Sequence, residues 1–335
     1  MNYGRIVMAL AMSALLSLCS VASAQQNPHW LGTTGSGFTA GLTKAPQSNI
    51  SLTATYSNAS YGTGGVALRN RIKGSIHISG VTGPTQAAWL YWAVLFASTP
   101  SSAQLRGASK VQLQREFPPG IPSAAQLTGT LIAIGGDPCW GSAGTWVFRA
   151  SVPTTVATGN GIYRIILNKN STGLSDGEDP WDGNVVFPLA EGASLVIVGT
   201  GVASVGLVDG QAGTTFSAAY SNSYDLPAPA TGGLVLFDNF GYDGQIGTSR
   251  TITASNETTT VQGFPGGVSV LVAGPGGETG DSDWDGSSGW PLPQLWDDTG
   301  HDITNAFAVG DTSVLVSYTS TRDCIGTVGA VISVQ

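Results

Sequence analysis

Charged side chains are scarce in this chain. Of its 335 residues, 13 are Lys or Arg and 21 are Asp or Glu, together 10% of the sequence, against roughly 25% in an average soluble domain. The formal net charge is −8, and Lys and Arg form no cluster that would neutralise a phosphate backbone. The deficit argues against nucleic acid and anionic membranes as partners.

Helical periodicity and catalytic motifs are also lacking. No segment repeats apolar residues at helical spacing for more than two turns. The sequence contains no Gly-x-Ser-x-Gly elbow, no His-Glu-x-x-His motif and no phosphate-binding glycine loop. Its three histidines are His29, His77 and His301, of which His301 is the one candidate for a base or a ligand. We therefore assign no catalytic residue from the sequence.

Short strand-like segments fill most of the remaining chain. Glycine accounts for 47 residues, and Gly, Pro, Asn or Asp bounds about fifteen short runs that are apolar or alternate in polarity. Such runs without intervening helices predict an all-β fold, a large antiparallel β-sandwich of jelly-roll type. Both faces of Ala87–Phe96 are apolar, so we expect this segment to be a central strand that packs in the core.

Residues 1–24 have the features of an export signal. Arg5 precedes the apolar run Ile6–Leu18, and Ala22-Ser23-Ala24 supplies the small residues that a signal peptidase requires. The run is too short to span a bilayer, which takes about 20 apolar residues. We expect cleavage near Ala24 and a secreted, periplasmic or cell-surface protein with no transmembrane segment in the mature chain.

Composition also divides the cleaved chain. Residues 25–48 are rich in Gly, Thr and Ser and lack periodicity, which predicts a flexible N-terminal arm. Residues 49–335 are predicted to form a single β-sandwich domain, with two tightly packed lobes as the alternative. Cys139 and Cys324 are the two cysteines left after cleavage, and we expect them to form a disulfide in an oxidising compartment. The bond would close a loop of about 185 residues and contribute roughly 4–5 kcal/mol in the chain-entropy model.

Acidic residues concentrate in two segments, of which Asp281–Gly286 matches a calcium-binding pattern more closely. Every second residue is Asp and a Gly follows, as in the first half of a calcium loop, where hard oxygen ligands converge around a backbone turn. The twelfth position, where such a loop has Glu, is Leu292, so the site would need further ligands. The candidate calcium ligands here are Asp281, Asp283 and Asp285.

A similar sequence motif, Asp-Pro-Trp-Asp-Gly, occurs at 179–183. It adds Asp179 and Asp182 to the candidate calcium ligands. For both segments, an exposed acidic turn without a metal remains the alternative.

The segment from Trp290 to Asp302 combines tryptophan with acidic side chains. An exposed Trp beside carboxylates is a common sugar-binding arrangement, since the ring packs on a pyranose face and the carboxylates accept hydrogen bonds from hydroxyls. A Pro- and Trp-rich loop that plugs the end of a sandwich uses the same residues. The candidate ligand-binding residues are Trp290, Trp296, Asp297 and Asp298.

Short strand motifs spread over residues 70–334 carry a family resemblance. They are Gln86–Ala93, Glu191–Val198, Asp302–Thr304, Val314–Ser317 and Asp323–Cys324. These motifs resemble a poorly characterised family of exported bacterial β-sandwich domains found on surface and adhesion-like proteins. The resemblance implies a jelly-roll-like extracellular or cell-envelope domain without a defined enzyme activity.

Three functional hypotheses follow. The first is a secreted non-catalytic β-sandwich with a binding or structural role at the cell exterior, stabilised by Ca²⁺, whose partner is a polysaccharide or another surface protein. The second is a carbohydrate-active enzyme or carbohydrate-binding module that uses the Trp- and Asp-rich loops. The third is a subunit of an extracellular fibre or matrix joined through edge strands, for which the last predicted strand, Thr327–Val334, is the obvious place.

Overall fold

The computed structural model describes residues 52–68, 71–117, 124–137, 140–168, 186–210, 219–242, 257–273, 296–320 and 326–335. Within these ranges the chain forms seventeen β-strands, an α-helix and a 3₁₀ turn. The strands are β1 Ala54–Ala67, β2 Lys73–Ile78, β3 Thr85–Phe96, β4 Lys110–Phe117, β5 Ala124–Thr128, β6 Thr130–Gly135, β7 Gly144–Ser151, β8 Gly161–Leu167, β9 Leu189–Thr200, β10 Ala203–Asp209, β11 Ala219–Asp225, β12 Val235–Tyr242, β13 Glu257–Phe264, β14 Ser269–Ala273, β15 Trp296–Asp302, β16 Ser313–Ser320 and β17 Gly326–Val334. The helix is α1 Ser102–Ala108, and the 3₁₀ turn covers Thr304–Ala306. The prediction of an all-β sandwich is confirmed.

The strands form two jelly rolls in succession along the chain. Strands β1 to β9 make up lobe one, and β10 to β17 make up lobe two. In lobe one the order β1-β9-β3-β7, with β6 added at its edge, faces a second sheet of order β2-β8-β4-β5. In lobe two the corresponding orders are β10-β17-β12-β15 and β11-β16-β13-β14. Each lobe therefore places its first strand beside its last and its last beside its third, which is the jelly-roll arrangement.

The two lobes share one sheet. Strand β1 pairs antiparallel with β10, from Ala54 opposite Leu207 to Ala59 opposite Ala203. The pairing joins the larger sheets of the lobes into a continuous nine-stranded sheet, β15-β12-β17-β10-β1-β9-β3-β7-β6. Because the first strand of one lobe pairs with the first strand of the other, the lobes are related much as the two subunits of an isologous dimer are.

The link between the lobes is very short. Gly201 and Val202 separate β9 from β10, which lie on opposite sides of β1. The link crosses β1 at Asn58, whose carbonyl accepts a hydrogen bond from the Gly201 backbone N–H at 2.8 Å. Ala59 of β1 pairs with Thr200 on one side and with Ala203 on the other, so the crossing point is also where the two ladders of β1 meet.

Three hydrophobic clusters stabilise this arrangement. Lobe one encloses a cluster that contains Trp92, and lobe two encloses one that contains Phe237. A third, here called the inter-lobe cluster, lies on the other face of the nine-stranded sheet and draws residues from both lobes, among them Tyr91 and Phe240, whose ring centroids are 5.0 Å apart. The larger sheet is thus buried on both faces, which explains why its strands read as nearly continuous apolar runs.

Strand β3 confirms the prediction of a central strand over Ala87–Phe96. It lies between β9 and β7 and pairs with both. Trp92 and Val94 pack in the core of lobe one, whereas Tyr91 and Ala93 belong to the inter-lobe cluster.

The prediction that the last strand is an exposed edge is wrong. Strand β17 pairs with β10 on one side and with β12 on the other, and all nine of its residues are buried. The jelly-roll order requires this, because the last strand of a lobe fills the place between the first and the third. The fibre hypothesis therefore loses β17 as its joining point.

The nine-stranded sheet curves so that each of its edges approaches the other lobe. At one edge β15 lies over β1 and β9: a Cβ atom on Gly192 would be 2.4 Å from Trp296 Cδ2, and one on Gly65 would be 2.8 Å from Cδ1. Only glycine leaves room for the indole at these positions. At the other edge, a Cβ atom on Gly210, which follows β10, would be 3.6 Å from the carbonyl oxygen of Ile132 in β6. The two approaches enclose the inter-lobe cluster.

The helical elements are short. A capping box starts α1: Ser101 Oγ accepts a hydrogen bond from Gln104 N at 3.3 Å, and Gln104 Oε1 accepts one from Ser101 N at 2.8 Å. The Ser-x-x-Gln spacing is the sequence signal for this helix, which is too short for its periodicity to be seen. In the described ranges no helix is both long and apolar enough to cross a membrane.

Candidate functional site

Most of the predicted site residues lie outside the described part of the chain. They are Asp179, Asp182, Asp281, Asp283, Asp285, Trp290, Cys139 and Cys324. The calcium and disulfide assignments therefore stay predictions. Among the described residues, no group of three or more His, Cys, Asp or Glu side chains is placed to hold a metal ion.

The other three candidate ligand-binding residues begin β15. Trp296, Asp297 and Asp298 stand on a strand rather than a loop, and the first two have no exposed surface. The prediction of an exposed, sugar-stacking tryptophan is therefore wrong for Trp296. Its ring lies against the backbone of Gly65 and Gly192, where the missing side chains leave space for it. Strand alternation turns Asp297 to the opposite face of β15 from its two neighbours.

Asp298 and its surroundings form a polar contact between the lobes, here called the β15 seam. Its members are Trp296, Asp298 and Asp238 of lobe two and Tyr61, Thr63 and Ser194 of lobe one. Asp238, on β12, accepts hydrogen bonds from the hydroxyls of Tyr61 and Thr63, the latter at 3.2 Å. Trp296 Nε1 donates to Ser194 Oγ at 2.9 Å. Side chains of β12 and β15 thus bind side chains of β1 and β9 across the lobe boundary.

Burial governs the electrostatics of the β15 seam. Both carboxylate oxygens of Asp298 are sealed from solvent, and neither makes a hydrogen bond of ordinary geometry to a described residue. Burial raises the pKa of Asp298 to about 7; the nearby hydroxyls of Ser194 and Thr63 oppose the rise, and the charge of Asp238 adds to it. Burial and then Asp238 hold the pKa of Tyr61 far above its usual value, so Tyr61 remains a hydrogen-bond donor. Among the described residues, the groups that act on Asp298 are therefore two hydroxyls and a second carboxylate.

An equivalent contact, here called the β7 seam, lies at the other end of the inter-lobe cluster. Asp209, on β10 of lobe two, accepts hydrogen bonds from Tyr91 Oη of β3 at 2.8 Å and from Arg149 Nη1 of β7 at 2.6 Å. Thr53 Oγ1, just before β1, donates to the other carboxylate oxygen at 3.0 Å. The Asp209 side chain is 6% exposed, so the guanidinium neutralises a nearly buried charge.

Arg149 also orders the aromatic residues around it. Its guanidinium carbon lies 5.1 Å from the ring centroid of Trp89, and Trp89 Nε1 donates to Tyr56 Oη at 2.9 Å. Burial alone would lower the pKa of Arg149, but the hydrogen bond to Asp209 and its charge produce a net rise. Burial, reinforced by Asp209, also raises the pKa of Tyr91. The β7 seam is therefore a charge-balanced network.

The two seams use equivalent positions with the residue types exchanged. In the β15 seam a Tyr on the first strand of lobe one donates to an Asp on the third strand of lobe two. In the β7 seam a Tyr on the third strand of lobe one donates to an Asp on the first strand of lobe two. Arg149 stands opposite Tyr91 in the β3–β7 ladder, whereas Gly300 stands opposite Asp238 in the β12–β15 ladder. The β15 seam thus has a glycine where the β7 seam has its arginine.

The described histidines do not extend either seam. His77 is exposed on β2, and His301 lies on the opposite face of β15 from Asp298 because side chains alternate along a strand. Asp302, beside it, accepts hydrogen bonds from the backbone and hydroxyl of Thr304 at 3.0 and 2.6 Å. These bonds lower the pKa of Asp302.

Sequence reasoning missed Tyr61, Asp238, Asp209 and Arg149 as members of a site. Asp209 and Arg149 each stand in a mostly apolar strand, whereas Tyr61 and Asp238 have polar neighbours in theirs. A polar side chain on a strand that is buried on both faces needs a partner, since an unpaired buried polar group is costly. For Asp209 and Arg149, a lone charge in an apolar strand is the signal by which they can be found.

The fold and the seams define an all-β protein of two jelly-roll lobes closed on each other. A scan against known protein families and a search of curated proteins found no match. Among solved structures the chain is similar to a β-porphyranase of glycoside hydrolase family 86 from Bacteroides plebeius, with 10% identity and a TM-score of 0.26 over 78% of this chain and 38% of that chain. It is similar to the VP2 subviral particle of infectious bursal disease virus, with 12% identity and a TM-score of 0.24 over 87% of this chain and 74% of that one. It is also similar to the CUB1-EGF-CUB2 domain of human MASP-1/3, with 9% identity and a TM-score of 0.19 over 81% and 98%. At these TM-scores the likenesses carry no argument about function.

Proposed function

We propose that this protein is an exported, non-catalytic structural or binding protein that acts at the cell exterior as a rigid pair of jelly-roll lobes. The observation that carries the proposal is the position of Trp296 and Asp298 inside the β15 seam. The side chains that would stack on a sugar or cleave one instead hold lobe two against lobe one. The export signal predicted over residues 1–24 supports the location.

The environment of the seam carboxylates argues against glycoside hydrolysis. That reaction needs two carboxylates that flank an open cleft, about 5 Å apart for retention or roughly 6.5–9.5 Å apart for inversion. The oxygens of Asp298 are sealed from solvent, Asp238 accepts hydrogen bonds from Tyr61 and Thr63, and Asp209 is bound by a guanidinium. A substrate would reach the carboxylate oxygens of Asp298 only if the lobes separated.

Rigidity supports a structural role. The lobes are joined by a continuous β-ladder, by a hydrophobic cluster with residues from both, and by the two polar seams. Domains connected by a small or polar interface move relative to each other by default, whereas a large apolar interface holds them in one arrangement. The two lobes therefore present a single fixed surface to a partner.

The disulfide predicted for Cys139 and Cys324 would add a covalent link between the two lobes. Cys139 follows β6 of lobe one, and Cys324 precedes β17 of lobe two. Trp140, the neighbour of the first cysteine, packs against the inter-lobe cluster that contains Val328. An oxidising exterior would favour the bond. Alkylation of the unreduced protein should leave its mass unchanged, and alkylation after reduction should add two labels.

Subunit of an extracellular assembly is the second candidate function. Strand β6 ends the nine-stranded sheet, and it exposes Leu131 and Ile134 at 37% and 55%. An edge strand with exposed apolar side chains is a template for strand addition by another chain. This edge takes the place that the sequence assigned to the last strand.

Reducing-sugar release across a panel of polysaccharides tests the proposal. We expect no release by the mature protein, by Asp298→Asn, or by the control Asp302→Asn, because Asp302 is an exposed residue outside the β15 seam. Release that Asp298→Asn abolishes and Asp302→Asn retains, with circular dichroism unchanged in both, would overturn it.

Size-exclusion chromatography of the same samples separates the two roles, since assembly through β6 gives larger species that Ile134→Lys converts to monomer.

Melting with and without a chelator reports on the proposed calcium at Asp281, Asp283 and Asp285, because a ligand at a hundredfold excess over its Kd stabilises by about 2.7 kcal/mol.

A further inference from the structure

We propose that β14 is the contact through which two copies of this chain pair, antiparallel and about a two-fold axis. The pairing joins the four-stranded sheet β11-β16-β13-β14 of one copy to the same sheet of the other. The inference concerns a different strand from β6. It goes beyond the proposed function and does not depend on it.

Strand β14 ends the smaller sheet of lobe two. Among the described strands it pairs with β13 alone, with Leu271 opposite Thr260. The backbone N–H and C=O groups along its other edge therefore have no partner strand in the described part of the chain, and such an edge is a template for pairing with another chain. Ser269 and Leu271 are exposed, so the outer face of β14 is open to solvent.

Exposed apolar side chains are concentrated in the hairpin that β13 and β14 form. Of the nine large apolar side chains that are exposed in the described ranges, three belong to it: Phe264 at 36%, Val268 at 60% and Leu271 at 38%. Strand alternation turns Val270 and Val272 towards the core of lobe two and turns Leu271 outward. A group of exposed apolar side chains marks a contact with another molecule.

The other edge strands of the two smaller sheets carry side chains that β14 does not have. Strand β2 has exposed Lys73 and His77, β11 ends at Asp225, and β5 exposes Gln126 and Thr128. Charged and polar side chains on an edge strand oppose its pairing with another chain. The five residues of β14 include no charged residue and no proline, so its own sequence does not oppose an added strand.

The sequence of β14 favours a second copy as the partner. Full overlap of two antiparallel copies of Ser269–Ala273 places the two Leu271 residues opposite each other and Val270 opposite Val272 of the partner subunit. The apolar residues then meet on each face, and no like charges stand opposite each other. The chain already joins its own lobes by antiparallel pairing of β1 with β10, so a β-ladder between lobes is a contact that this fold uses.

The contact is small, and its size determines how strong the dimer can be. Strand β14 contributes five residues, whereas a standard interface has roughly 20–30 residues on each side. The dimer should therefore dissociate on dilution, with a Kd between about 1 μM and about 1 mM. Leu271→Lys should raise this Kd by about tenfold or more, because it removes the central apolar contact and places two positive charges opposite each other.

Light scattering during size-exclusion chromatography of the mature protein, at concentrations up to about 1 mM, tests the pairing. We expect the average mass of the wild type to rise from one chain towards two. The matched control Gln126→Lys, in the equivalent edge strand β5, should behave as the wild type does, whereas Leu271→Lys should remain a single chain. Because Leu271 is exposed, the circular dichroism and the urea midpoint of Leu271→Lys should equal those of the wild type.

Disulfide cross-linking tests the register. In Leu271→Cys the two new thiols stand directly opposite each other, at a Cα separation of about 4.5–5.5 Å that a disulfide can bridge. In Ser269→Cys they lie four residues apart along the ladder, about 13 Å. After mild oxidation, non-reducing electrophoresis should show a dimer band for Leu271→Cys that reduction removes. Ser269→Cys and the wild type, which controls for the native cysteines, should show none.

Three outcomes would overturn the pairing through β14. The first is a wild type that keeps the mass of one chain up to about 1 mM while Leu271→Cys forms no cross-link. The second is equal cross-linking of Leu271→Cys and Ser269→Cys, which would show random collision. The third is a dimer that Leu271→Lys retains; if Ile134→Lys then abolishes it, the contact belongs to β6, and the second candidate function stands without this inference.

Discussion

In the β7 seam a carboxylate, a tyrosine and an arginine close the lobe interface with balanced charge, whereas the described groups that act on the two carboxylates of the β15 seam include the hydroxyls of tyrosine, threonine and serine. The strand positions are the same, because each seam joins the first strand of one lobe to the third strand of the other. The difference teaches that topology determines where two jelly rolls meet, while individual side chains determine how the buried polar groups there are satisfied.

The largest effect is expected from removing the arginine that distinguishes the seams. Arg149→Met leaves Asp209, whose side chain is 6% exposed, without its counter-charge, and breaking a buried ion pair in this way costs about 3–5 kcal/mol. Urea unfolding at neutral pH measures the loss. The double variant Arg149→Met with Asp209→Leu should recover most of it, because apolar packing replaces the pair.

A cost below about 1 kcal/mol for Arg149→Met would contradict this description. It would mean that solvent screens the pair as it screens a surface salt bridge. The contrast between the two seams would then lose its basis.

A smaller loss is expected at the close approach beneath the β15 seam. Gly192→Ala places a methyl group 2.4 Å from Trp296 Cδ2, and overpacking of this kind costs about 1–3 kcal/mol. Urea unfolding again gives the value. Trp296→Phe in the Gly192→Ala background should restore part of the stability, since the smaller ring frees space. An unchanged stability in Gly192→Ala would show that β15 does not lie on β9 as described.

The smallest effect is expected for the indole hydrogen bond of the β15 seam. Ser194→Ala removes the acceptor of Trp296 Nε1, which lies at 2.9 Å, and leaves a buried donor unpaired at a cost of about 1 kcal/mol. Ser194→Thr keeps a hydroxyl and serves as the control for it. If Ser194→Ala lowers the free energy of unfolding no more than Ser194→Thr does, the hydrogen bond from Trp296 Nε1 does not stabilise the β15 seam.

Local sequence patterns were sufficient for the fold class and for strands whose burial is uniform. Trp92 and Tyr91 lie on opposite faces of β3 and pack in different hydrophobic clusters. Both faces of the strand are apolar because it lies between these two clusters, as the apolar run predicts.

Pairing across long sequence separations was not predictable in this way. Gly62, Gly64 and Gly65 lie within β1, where a Cβ atom would meet the carbonyls of Ser79 and His77 or the ring of Trp296 at 2.0, 2.2 and 2.8 Å. Glycine marks a close approach there rather than a change of direction. Nothing in the local sequence names the partner that approaches.

The site was found in part and assigned the wrong environment. Trp296 and Asp298 were singled out by an arrangement that also occurs on sugar-binding surfaces, but exposure is a tertiary property. The glycines that accommodate the indole lie on β1 and β9, more than a hundred residues earlier in the chain. Asp238 and Tyr61 escaped notice because each becomes a partner only when the lobes meet.

The two-residue link at Gly201 and Val202 has a consequence for synthesis of the protein. When lobe one has left the ribosome, β1 pairs with β9 on one side and leaves its backbone N–H and C=O groups unpaired on the other. Such an unpaired edge can pair with another chain and cause aggregation. Because the link has only two residues, the next strand to be synthesised, β10, lies close to the unpaired edge of β1 and can pair with it directly. Chain order thus limits the time for which the growing polypeptide displays its most vulnerable surface.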